Sequence, residues 1–183
     1  MGDDAKGRFG ATVRSNGPVT RNDDDTYCLS IERSDRDVLN DLFGQFREVL
    51  TDGQDSETVK RLFPTAYHQD PQHDEEYQRL MRTELLTSHV HSIDHVRQLI
   101  QQSSRAETIT LSQPDLDAFM KATNGIRLLL GTMLAVSEDD HDDIDESDPT
   151  FGQHQLYAYL GWLLDWMVAA QAGVFPVTDN SPG

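Results

Sequence analysis

Apolar and polar residues follow two different periods along this chain. From Tyr27 to Ile31 the period is two. Tyr27, Leu29 and Ile31 share one side and Cys28 and Ser30 the other, which predicts a half-buried strand. Phe9 to Val13 is the candidate antiparallel partner, with the turn signal Ser15-Asn16-Gly17-Pro18 inside the polar stretch between them. Beyond Ser34 the spacing lengthens to that of an α-helix. Val38, Leu39, Leu42, Phe43, Phe46, Val49 and Leu50 recur at three- and four-residue steps. Ser34 suits the N-cap of this helix, Asp35 and Asp37 its positive end, and Asp52-Gly53 its stop. A short helix from Asp55 to Leu62 runs into Pro64. Gln72 to Ser104 is again helical. Thr83 is placed to divide it, with Leu86, Val90, Ile93, Val96 and Ile100 as the stripe of the second part. A further helix opens at Ser112, with Pro114 and Asp115 suited to its first turn, and runs to Val136. The last spans Phe151 to Ala172. It is apolar around most of its circumference, the pattern of a helix central to a core or shared with a second chain.

These elements predict a mainly α fold: a compact bundle of four to six helices with a short N-terminal antiparallel β-hairpin. One domain is expected over 1–183, ordered from about residue 8 to residue 172, with an acidic loop at 137–149 and a loose tail at 173–183.

Charge narrows the picture. The chain carries 15 Lys+Arg against 32 Asp+Glu, a net charge of −17. So acidic a body repels phosphate, so direct binding to nucleic acid or to an anionic membrane is not expected. The run from Glu138 to Asp148 holds eight carboxylates and no Lys or Arg. It lacks the glycine and glutamate spacing of an EF-hand calcium loop, so it predicts a solvated loop able to face a basic partner. No apolar stretch is long enough to span a membrane and no basic, apolar leader opens the chain, so a cytoplasmic protein is expected. With one cysteine, Cys28, no intramolecular disulfide can form. Three aspartates just before it oppose a thiolate, so Cys28 reads as a small strand residue.

Candidate chemistry is sparse. His91 and His95 stand one helical turn apart, the spacing of a metal-binding pair, with Glu84, His68 and His73 as candidates for a third ligand. His89 falls with the apolar stripe instead. No phosphate-binding glycine loop and no nucleophile elbow is present, and no cofactor is implied. Arg127 lies among aliphatic residues and needs a partner if buried. Glu76 and Asp70 are the expected carboxylates, with Phe63, Tyr67 and Tyr77 clustered nearby. Trp162 and Trp166, with Glu138, Asp139 and Asp140, form the candidate interaction surface.

Three ordered stretches carry a resemblance. They are Arg61-Leu62-Phe63-Pro64-Thr65-Ala66-Tyr67 with Asp70-Pro71 and Glu76-Tyr77-Gln78-Arg79-Leu80; Asn124-Gly125-Ile126-Arg127-Leu128-Leu129-Leu130-Gly131-Thr132 with Glu138-Asp139-Asp140; and Asp148-Pro149 with Tyr157-Ala158-Tyr159-Leu160-Gly161-Trp162-Leu163. Together they resemble an actinobacterial domain-of-unknown-function family that includes the oxidation-sensing AosR-type stress regulators. The resemblance implies a non-enzymatic regulator of transcription under stress, acting by contact with a sigma factor or RNA polymerase. The intramolecular disulfide of the AosR type needs a second cysteine, which this chain lacks. Two other readings follow from the residues: a small metal-dependent enzyme built on His91 and His95, and a structural homodimer joined through the last helix.

Overall fold

Three short strands and four helices carry these patterns in the computed structural model, which describes residues 17–52, 59, 62, 70–136 and 145–174. The order is β1 (Val19–Arg21), β2 (Tyr27–Leu29), α1 (Arg33–Asp52), α2 (Pro71–Gln102), β3 (Ile109–Leu111), α3 (Gln113–Met133) and α4 (Phe151–Ala172). The fold is mainly α, as the periodicity predicts.

β2 is the central strand, antiparallel to both neighbours. Val19 pairs with Leu29 and Arg21 with Tyr27; on the other edge Tyr27 pairs with Leu111 and Leu29 with Ile109. The hairpin partner is therefore Val19–Arg21, close behind the turn, and Phe9 to Val13 lies outside the described residues. A tight connection makes this pairing possible. Asn22 N–H donates to the Thr26 carbonyl, Asp24 accepts from the Thr26 backbone and hydroxyl, and Asp25 takes the left-handed conformation with φ 62°. β3 was hidden from the periodicity by its length of three residues. Its alternation still buries Ile109 and Leu111 beside Val19, Tyr27 and Leu29.

α1, α2 and α3 pack around Leu39, Phe43, Phe46, Ile93, Val96, Leu116, Phe119 and Ile126, all buried. Phe43 meets Phe119 edge to face, with ring centroids 5.6 Å apart. α1 begins at Arg33, so Ser34 lies inside the helix instead of capping it. α2 is continuous over 32 residues, and Thr83 does not divide it. The Thr83 carbonyl accepts from the Thr87 hydroxyl within the unbroken helix. A threonine inside a helix costs only a few tenths of a kcal/mol, less than burying Leu86, Ile93, Val96 and Ile100 along the stripe returns. Of the predicted helix from Asp55 to Leu62, Val59 and Leu62 are described, and both are buried. No helix among the described residues is long and apolar enough to cross a membrane.

One buried cation ties these layers together. Arg36 is 3% exposed. Its guanidinium donates to the carbonyls of Ile31, Ser103, Ala106 and Glu107. α2 has no basic residue in its last turn, so Arg36 brings positive charge from α1 to the negative end of the α2 dipole.

Candidate functional site

A mainly apolar opening lies where α1, α3 and the start of α4 diverge. Leu42, Phe46 and Val49 line one wall, Ile126, Leu129, Leu130, Met133 and Leu134 the other, and Thr150, Gln153 and Leu156 close one end. The groove encloses about 400 Å³, and Gln45, Thr150 and Gln153 are its polar lining residues. The sequence pattern locates these side chains but not their role. The apolar stripes of α1 and α3 are wider than the core uses, and the surplus faces water. Val49 is 37% and Met133 66% exposed.

Glycine shapes the same wall. A Cβ on Gly125 would lie 2.7 Å from the Phe46 ring, so this position lets α3 approach α1. Two more glycines join α3 to α4. Gly131 packs against the Tyr157 ring and Gly161 against the Arg127 guanidinium. Arg127 lies over the Tyr157 ring, 4.5 Å from its centroid, with Nε buried and unpaired. This corrects the expected partnership of Arg127 with Glu76 or Asp70. Asp70 caps α2, accepting from His73 N and pairing with the His73 ring, which holds its carboxyl below the usual range. Glu76 is exposed and Tyr77 half-buried on α2, while Phe63 and Tyr67 lie outside the described residues.

His91 and His95 line a separate cleft with Ser92, Pro114, Asp117, Ala118 and Lys121. His91 is exposed, and His95 Nε2 is 2.6 Å from Asp115 Oδ1. Burial pushes the Asp115 carboxyl up, but hydrogen bonds from Ser112 and His95 outweigh it and hold the group below the usual carboxylate range. Glu84 and His73 are exposed and His68 lies outside the described residues. No group of three metal-binding side chains occurs among the described residues. Lys121 donates to the Ser88 hydroxyl, and burial lowers its pKa. Both residues sit in mid-helix, where backbone N–H groups are consumed by the helix, so none is left to hold an oxyanion beside them. His89 is driven down to about 4 by burial and by the Lys121 charge.

Trp166 is not a surface residue. It is 5% exposed. Its ring lies so close to Gly17 that a Cβ there would fall 2.2 Å from it. Trp162 is 46% exposed and leans on Tyr159. Glu138, Asp139 and Asp140 lie outside the described residues. Cys28 is half-buried in the central strand, its Sγ 3.7 Å from the Ser30 hydroxyl.

A family model described as a domain of unknown function, DUF2017, matches residues 16–171. The chain belongs to this family. The match reaches from the residue before Gly17 to the last turn of α4, so it takes in all three strands and all four helices. No curated protein and no solved structure matches the chain. Two of the three stretches that carried the resemblance meet in the structure. Gly125, Arg127 and Gly131 on α3 face Phe46, Tyr157 and Gly161, so within the family frame they specify how close the helices stand.

Proposed function

We propose that this protein is a non-enzymatic regulator that works by docking onto another protein, in the manner of the AosR-type stress and transcription regulators of actinobacteria. A sigma factor or RNA polymerase is the partner the resemblance implies. One observation carries the reading: an open apolar groove between α1, α3 and α4 whose rim residues Val49 and Met133 are left to water. Exposed apolar surface of this kind is retained where a partner covers it. The mechanism is occupancy. A helix or loop of the partner enters the groove, and the acidic body offers charge to a basic surface.

Surface plasmon resonance of the full chain against purified sigma factors and core RNA polymerase of its source tests this. Binding to one of them, weakened about tenfold by Met133→Glu with the melting temperature unchanged, is expected. Binding to none of them, or binding indifferent to Met133→Glu, would overturn the proposal.

A further inference from the structure

Among the described residues, the charges flanking the groove are acidic. On α1 the positions flanking Gln45 on its solvent side are Asp41, Glu48 and Asp52, all exposed and all one helical row. Arg47, on the other side of α1, is taken by Asp94 of α2 at 2.7 Å. At the far end, Asp148 accepts from the backbone and hydroxyl of the groove residue Thr150, and Asp145 and Glu146 precede it, exposed. Among the described residues, no Lys or Arg lines the groove.

Resting on the docking role proposed above, we infer that the groove receives a short cationic amphipathic helix of a protein partner. The wall from Leu42 to Val49 is about 10 Å long, which matches two turns of a helix. Apolar side chains at i, i+3 or i+4, and i+7 of that helix enter between α1 and α3. Its Lys and Arg residues face Asp41, Glu48 and Asp52 on one side and Asp145, Glu146 and Asp148 on the other. A second copy of this chain is a poor occupant, because two bodies of charge −17 repel.

The test uses fluorescence polarisation of the full chain with three labelled peptides of about four turns. One carries leucines at helical spacing and lysines elsewhere, one has the lysines replaced by glutamates, and one scrambles the first. The cationic peptide is expected to bind at least tenfold tighter than the other two. Its affinity should fall about tenfold on raising the salt from low to physiological strength. It should also fall about tenfold with Met133→Glu, and several-fold with Asp41→Asn, Glu48→Gln and Asp52→Asn combined. Met133 and the three acids are exposed, so these variants keep the fold. Equal binding of the cationic and anionic peptides would overturn the inference. So would cationic binding that Met133→Glu leaves intact, since that marks charge attraction outside the groove. If no peptide binds but a sigma factor or RNA polymerase does so through Met133, this inference fails and the docking role stands. If neither binds, both fail.

Discussion

On Arg36 four hydrogen bonds converge. Its guanidinium, itself buried, satisfies four carbonyls. Arg36→Met leaves those carbonyls unpaired and should lower the unfolding free energy by about 3 kcal/mol. Arg36→Lys should recover less than half of this, because one ammonium cannot span the fork. Urea unfolding of both variants measures the difference, and equal stability of wild type and Arg36→Met would refute the clamp. The sequence marks this position only as one arginine among 15 basic residues. Its partners are main-chain atoms, three of them about 70 residues along the chain, which no side-chain pattern encodes. Arg127 teaches the same lesson from the other side. Its partial burial is legible from Leu128, Leu129 and Leu130, but its companion among the described residues is the face of Tyr157. His89 adds a pH dependence. The folded chain holds this ring at about 4, against 6.5 for the unfolded group. Between those values the unfolded state binds a proton that the folded state refuses, so stability falls as pH drops from about 6.5 toward 4. His89→Gln should flatten that slope in urea midpoints taken at pH 7 and pH 5. An unchanged slope would assign it to other groups.

At the scale of elements, the start of α3 is the best-determined joint. Ser112 and Asp115 cap each other, and Asp115 also reaches His95 on α2. Ser112→Ala removes the cap and should cost about 1 kcal/mol. Asp115→Ala removes the cap and the link between helices, and should cost more. Thermal denaturation of both variants checks the order, and a larger loss in Ser112→Ala would sink it. This joint was legible: Ser112, Pro114 and Asp115 stand in the pattern that starts a helix, and the structure begins α3 there. The span of α4 was legible for the same reason, closing on Gly173 in the left-handed conformation with φ 68°. The groove was not legible. Whether an apolar stripe meets one neighbour or is left half uncovered depends on where the third helix lies, and that is tertiary information. Leu42 and Leu39 belong to one periodic set, yet only Leu39 is in the core.

At the scale of the whole molecule, a net charge of −17 opposes the compact state through self-repulsion. Sodium chloride raised from about 10 mM to about 150 mM should therefore raise the melting temperature by a few degrees. Scanning calorimetry would show it, and a fall would mean that attractive pairs such as Arg47–Asp94 dominate. The ends of the described chain also meet. β1 packs against α4, with Gly17 under the Trp166 ring, and β2 gains its second neighbour only from β3. During synthesis, β1 thus stays half-finished until α4 has emerged, and β2 until β3 has. The nascent protein should resist protease only once residues beyond Trp166 clear the exit tunnel, which makes its maturation a late, single event instead of a stepwise one.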